Sequence, residues 1–238
     1  MARKRDAKPP STAASGDVAA FLAKVAATPV NKQSSGPGRL IFALDATASR
    51  EPTWDLACHY QAEMFAETDS LGGLEIQLAW YRGFGEFRAE PFLASSKELI
   101  ARMTRVACLA GKTQIRKVLR HAVDETKRKR VNALVFVGDH VEEDADTLGD
   151  LAGQMGLLGV PAFMFHEGGE PSARRVFQHV AKLSGGAYCS FGPGSAAELR
   201  QLLAAVAVYA AGGRRALQDY GKRHGGSALL LTDQMKAK

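Results

Sequence analysis

Two short apolar runs, each ending on a carboxylate, constrain the fold of this chain more than anything else in it. Leu40-Ile41-Phe42-Ala43-Leu44 stops at Asp45, and Ala133-Leu134-Val135-Phe136-Val137 stops at Gly138-Asp139. Runs of strand length with no polar alternation belong to strands covered on both faces, which occurs where helices lie above and below a mainly parallel sheet. Further strands are predicted over 161–165 and 187–191. Helical periodicity is predicted over 53–67, 96–107, 114–129, 146–158 and 172–183, with a last helix from Ser195. Leu74 to Arg82 alternates apolar and other residues, and a Gly-Phe-Gly turn leads into 86–92, so these two read as an antiparallel hairpin. Strands that alternate with helices need crossover connections. The expectation is an α/β fold with a doubly wound, mainly parallel sheet, one antiparallel edge strand and helices on both faces.

That domain is expected over 39–212. Ahead of it, residues 1–38 read as a basic tail, a short helix over Val18–Ala27 capped by Asp17, and a Ser- and Gly-rich linker from Asn31 to Gly38. Residues 213–238 read as a C-terminal extension. Hydrophobic residues make up 46% of the 238 and charged ones 24%, the balance of a globular chain rather than a disordered one.

Basic residues are in excess, with a formal charge of +6, but the excess is scattered. The densest run, Lys127-Arg128-Lys129-Arg130, falls where a helix should end and complements its dipole, and no aromatic residues interleave with it as in single-strand nucleic-acid binders. Cys58, Cys108 and Cys189 are far apart and lack CxxC spacing, so neither a disulfide framework nor a zinc site is expected. The basic N-terminus runs into Pro9 and Pro10 rather than a signal-peptide core, and no stretch approaches the ~18 apolar residues of a membrane span. The expected setting is cytoplasmic.

The candidate site lies where the first apolar run ends. Asp45-Ala46-Thr47-Ala48-Ser49 puts a carboxylate and two hydroxyls at alternate positions of a loop. All are hard oxygens suited to Mg²⁺ or Mn²⁺, with no sulfur or imidazole beside them to favour zinc. In an open α/β sheet, ligands bind beyond the carboxyl ends of the strands, where the strand order reverses. The topology would bring Asp139 and Thr113 to that crevice as well. The alternative, which the combination of these positions outweighs, is that they are structural caps: Asp45 and Ser49 for the following helix and turn, Asp139 for the next helix.

The pattern resembles the von Willebrand factor A family, whose metal-ion-dependent adhesion site is written Asp-x-Ser-x-Ser with a separate Thr and a separate Asp later in the chain. Asp45, Thr47 and Ser49 match the first element, with Thr in place of the first Ser; Thr113 and Asp139 match the others, and the likeness spans roughly 39–210. The resemblance implies a sheet of about six strands and an ion, Mg²⁺ or Mn²⁺ with Ca²⁺ a poorer match, held by Asp45, Thr47, Ser49, Thr113 and Asp139. It implies a non-enzymatic module whose cation is completed by an Asp or Glu of a partner protein. The partner would sit in a bacterial-type complex with an AAA-type ATPase or in a maturation or stress system. His140 follows Asp139 where many relatives have a small residue; it reads either as a loop residue or as one that meets the partner. The acidic run Glu142-Glu143-Asp144 reads as the start of a helix.

Two other functions compete. Nucleic-acid association would use the basic surface and show steep salt dependence. A metal-dependent hydrolase would use Asp139 or His140 on a metal-bound water. Gly111-Lys112-Thr113 imitates the end of a phosphate-binding loop, but Val106 stands where its first glycine belongs. The six histidines show no paired ligand spacing.

Overall fold

A computed structural model describes residues 36–66, 73–192 and 196–224, together with Ala20, which is helical. The expected tail, the rest of the 18–27 helix, most of the linker, and the chain from 225 on lie outside the described residues.

The elements in order are β1 (Gly38–Asp45), one 3-10 turn (Ala48–Arg50), α1 (Glu51–Ala66), β2 (Leu74–Arg82), β3 (Glu86–Leu93), α2 (Ser96–Met103) and α3 (Ile115–Arg128). Then follow β4 (Ala133–Gly138), α4 (Ala145–Leu157), β5 (Ala162–Glu167), α5 (Pro171–Ser184), β6 (Ala187–Phe191) and α6 (Ala196–His224). They build one six-stranded sheet in the order β3-β2-β1-β4-β5-β6. All neighbouring strands are parallel except β2 and β3, which pair antiparallel at one edge.

Every residue of β1 is buried, and the reason is visible in the period of two along it. Leu40, Phe42 and Leu44 face one layer with Trp54 and Ala57 of α1, Leu99 and Met103 of α2, and the long α6. Ile41 and Ala43 face the other layer, formed by α3, α4 and α5 through residues such as Val118, Leu148 and Phe177. Within α6, Leu199, Leu202, Leu203 and Val206 are fully buried at helical spacing, each such side chain contributing about 1.5–3 kcal/mol. Gly213 interrupts α6 with φ 74°, and beyond this kink Ala216 and Tyr220 still pack against the core.

Local chemistry sets the element ends. Pro52 sits at the second position of α1, where its missing N–H is harmless. Pro171 opens α5 behind the Glu170 cap, and Gly185 closes it in the left-handed region at φ 74°. The helix predicted over 96–107 stops earlier, at Met103. Its last carbonyls are taken by the Trp54 indole N–H, 3.1 Å from Met103 O, and by the Thr104 hydroxyl, 3.0 Å from Ile100 O. The connection to α3 is therefore a loop over 104–114, longer than the 108–113 that the predicted bounds leave. Among the described residues no helix is long and apolar enough to cross a membrane.

Candidate functional site

The strand order turns at β1 and β4: β2 lies on one side of β1, and the chain then crosses to place β4 on the other. Asp45 is the last residue of β1, and Asp139 follows the last residue of the adjacent parallel strand β4. Two carboxylates thus meet at the crevice such sheets use for ligands.

The loop after β1 is shaped by Asp45 itself. Its Oδ1 accepts from the Thr47 amide at 2.8 Å, a local turn of the kind Asp favours. Thr47 opens the 3-10 turn without capping it through its side chain. Its hydroxyl instead lies 3.4 Å from Ser49 Oγ, which donates across to Asp139 Oδ2 at 2.9 Å. Neither Ser49 nor Asp139 serves as a cap; Asp144 caps α4 by accepting from the Thr147 amide at 2.8 Å. Of the cap roles open to these residues, only the local turn at Asp45 is present.

Thr113 reaches the site on the 104–114 loop. Its amide donates to Glu142 Oε2 at 3.1 Å, and its hydroxyl accepts from the Glu142 amide at 3.0 Å. Glu143 then accepts from the Ile115 and Arg116 amides at 2.6 and 2.8 Å, capping α3 from another part of the chain. The acidic run is thus more than the start of α4: it clamps the loop that carries Thr113. On the opposite side Gly111 lies flush against the β2–β3 turn, where a Cβ would stand 2.1 Å from Gly83 O.

Asp45, Thr47, Ser49, Thr113 and Asp139 all line one open cleft of ≈ 570 Å³, together with His140, Glu142, Glu167 and Glu170. His140 is half-exposed at its rim, with Nδ1 4.0 Å from Glu170 Oε2. The Glu170 carboxylate is held down at about 2 by the Ser172 hydroxyl and by the amides of Ala173 and Ser172. Among the described residues no group of three His, Cys, Asp or Glu forms a metal cluster, so any cation site here depends on hydroxyl oxygens.

Asp45 is 2% exposed, and its Oδ2 is buried without a hydrogen bond. Burial raises its pKa, the Thr47 hydrogen bonds oppose that, and the charge of Asp139 adds to it. Beside it the Tyr81 hydroxyl, also buried without a well-formed hydrogen bond, is pushed well above the usual phenol range, first by burial and then by Asp45. An ionised Asp45 is costly in this setting, and a cation would relieve it.

Two supports were invisible in the sequence. Arg50 is 3% exposed and pairs with Glu167 at the end of β5, which also accepts from the Thr53 hydroxyl. The guanidinium that follows Ser49 is thereby committed to Glu167. His166, fully buried against Phe177, lies with Nε2 3.1 Å from Asp139 O and Nδ1 3.0 Å from the Tyr188 hydroxyl. Burial lowers its pKa, so the neutral ring donates from Nε2 to the carbonyl and accepts from Tyr188. Only the Glu142-Glu143-Asp144 run carried a sequence signal, and it pointed to a single helix start.

No protein-family model matches the sequence, and no curated protein matches it. Solved structures do match. The SpRpn10 VWA domain is 14% identical with a TM-score of 0.54, covering 75% of this chain and 97% of that one. The ArnB paralog VWA2 from Sulfolobus acidocaldarius is 12% identical with a TM-score of 0.52, covering 73% and 46%. An aerotolerance-related membrane protein from Bacteroides fragilis NCTC 9343 is 15% identical with a TM-score of 0.52, covering 70% and 98%. The chain has the fold of von Willebrand factor A domains.

Proposed function

We propose that the protein is a non-enzymatic interaction module that holds Mg²⁺ or Mn²⁺ through Asp45, Thr47, Ser49, Thr113 and Asp139 and binds a partner protein through an Asp or Glu. The observation that carries this reading is Asp45 Oδ2, a buried carboxylate oxygen beside the Tyr81 hydroxyl but without a well-formed hydrogen bond, in a cleft where hydroxyls and a second carboxylate converge. With the hydroxyls of Thr47, Ser49 and Thr113 in direct contact and Asp45 and Asp139 acting mostly through water, as the family resemblance implies, a bound divalent ion would lack a directly bonded anion and would accept one more carboxylate. His140 at the rim is a candidate contact for the incoming chain.

Binding rather than turnover is supported by the surroundings of the hydroxyls. Ser49 donates to Asp139, which the reading assigns to the cation, and the His166 imidazole is committed to a backbone carbonyl and to Tyr188, so that ring does not accept from Ser49 or Thr47. The basic run at the end of α3 favours a protein partner over nucleic acid, because Lys127, Arg128 and Lys129 are paired with Asp124, Glu125 and Glu75. A cytoplasmic complex with an AAA-type ATPase is the setting the family resemblance suggests.

Calorimetric titration with MgCl₂ and MnCl₂ tests the site directly. Wild-type protein should bind one equivalent, and Asp45→Ala and Ser49→Ala should abolish or sharply weaken it. Equal affinity in wild type and Asp45→Ala would sink the reading.

A further inference from the structure

Beside the cation cleft lies a second, smaller one of ≈ 340 Å³ that shares Thr113 with it and is lined by Phe84, Lys112, Gln114, Arg116 and Lys117, among others. Phe84, at the tip of the β2–β3 hairpin between Gly83 and Gly85, is 83% exposed. Its backbone is nonetheless well anchored. The Gly83 carbonyl accepts from the Lys112 amide at 3.0 Å, the Arg82 carbonyl from Gln114 Nε2 at 3.1 Å, and the Gly85 carbonyl from Lys117 Nζ at 2.6 Å. The hairpin tip and the Thr113 loop therefore form one body, with an aromatic ring presented to solvent on a fixed backbone. Leu109, 49% exposed on the same loop, is tied by its amide to Ala46 O at 3.0 Å, just before Thr47. Phe84 and Leu109 are two of the five large apolar side chains exposed among the described residues.

The charge around Phe84 is uneven. The acidic groups facing this smaller cleft, Glu143 and Asp144, accept backbone amides at the starts of α3 and α4. Lys112 and Arg116 are exposed and have no ion pair among the described residues. An exposed aromatic side chain on an anchored backbone, with two unpaired cations lining the same cleft, is the composition of a contact for an acidic chain. A single ring is a poor platform for successive bases of a nucleic acid.

We infer that the hairpin tip is a second contact for the partner, which presents an acidic segment with a large apolar residue: the apolar side chain packs on Phe84 and Leu109, and flanking carboxylates meet Lys112 and Arg116. This rests on the cation reading for the carboxylate that enters the larger cleft, and it adds the partner's local chemistry. It also assigns the pseudo-phosphate-loop residue Lys112 a role in recognition.

The test is fluorescence anisotropy with short labelled peptides of Glu, Asp and Leu, with the Gln/Asn/Leu analogue and an oligothymidylate as controls, in Mg²⁺ and in EDTA. The acidic peptide should bind in Mg²⁺ and both controls should fail. Phe84→Ala should weaken it about tenfold, ~1.4 kcal/mol, without changing the melting temperature or Mg²⁺ affinity, and Lys112→Glu with Arg116→Glu at least as much. Peptide binding that Asp45→Ala abolishes but these variants leave intact would overturn the hairpin contact and keep the cation site. Loss in Phe84→Ala with indifference to EDTA and Asp45→Ala would keep the hairpin contact and overturn the cation reading. No binding of the acidic peptide, or equal binding of the oligothymidylate with the same residue dependence, would overturn the inference.

Discussion

Asp45→Asn should move stability in opposite directions depending on whether a divalent cation is present. In wild type without metal, Oδ1 is satisfied by the Thr47 amide, while Oδ2 is buried near Asp139 and beside the Tyr81 hydroxyl without a well-formed hydrogen bond. An unsatisfied buried acceptor costs about 1–3 kcal/mol, and more when charged. Asparagine keeps the bond from Thr47, removes the charge, and offers an N–H to the Tyr81 oxygen. Relief of about 1–3 kcal/mol corresponds, at about 2–4 °C per kcal/mol for a chain of this length, to a melting point higher by about 2–12 °C. Because burial raises the Asp45 pKa above its ordinary 3.8, the wild type is favoured while the carboxyl is protonated and loses that contribution as pH climbs through the raised value. The advantage of the variant in EDTA should therefore be large at pH 8 and shrink toward pH 4. Mg²⁺ at about 100 times its dissociation constant should stabilise wild type by ~2.7 kcal/mol and leave Asp45→Asn unmoved, so the order of melting points inverts or the gap closes. Scanning fluorimetry across pH, with EDTA and with MgCl₂, reads all of this. An Asp45→Asn protein that melts below wild type in EDTA at pH 8, or a gap that does not change with pH, would refute the reasoning.

Glu167→Gln strands the buried Arg50 guanidinium and should destabilise by about 3–5 kcal/mol in urea unfolding, whereas a loss below about 1 kcal/mol would mean the pair contributes little. Gly111→Ala places a methyl group into Gly83 O, so the 104–114 loop must withdraw and lose the Lys112 amide bond; a loss of about 1–3 kcal/mol together with weaker Mg²⁺ binding by titration is expected, and an unchanged protein would contradict the close approach. Burial pushes the Cys58 and Cys108 thiols up to about 11, so their alkylation by iodoacetamide at pH 8 should be far slower in the native protein than in urea. Comparable native and denatured rates would contradict that.

The sheet was legible because the middles of its central strands carry no polar residue. Leu40–Leu44 and Ala133–Val137 have to be covered on both faces, and the helical segments between them are long enough to do it. Asp45, Thr47, Ser49 and Asp139 were legible for a related reason: polar residues placed directly after a fully apolar strand stand at the sheet's carboxyl edge whatever the loop does. Thr113 was found by its place in the element order, although the loop that carries it is longer than its Gly-Lys-Thr suggested. The helix before that loop ends at Met103 because Trp54, some fifty residues away, takes its carbonyl, a contact no local pattern encodes. The Arg50–Glu167 pair spans 117 residues and the His166–Asp139 bond 27. Such partners become neighbours only once the crossovers are in place, so periodicity and spacing do not reveal them. The capping of α3 by Glu143 escaped for the same reason, since an acidic residue just ahead of one helix reads as that helix's own.

The three consecutive acids after β4 also bear on how this protein can change. Glu142 holds Thr113, Glu143 holds the first amides of α3, and Asp144 holds the start of α4. Adding or deleting one residue between Asp139 and Asp144 would slip all three grips at once. The length of this loop is therefore more tightly constrained by the fold than the side chains between Asp139 and Glu142, and an insertion there should loosen the Thr113 loop and the starts of both helices together.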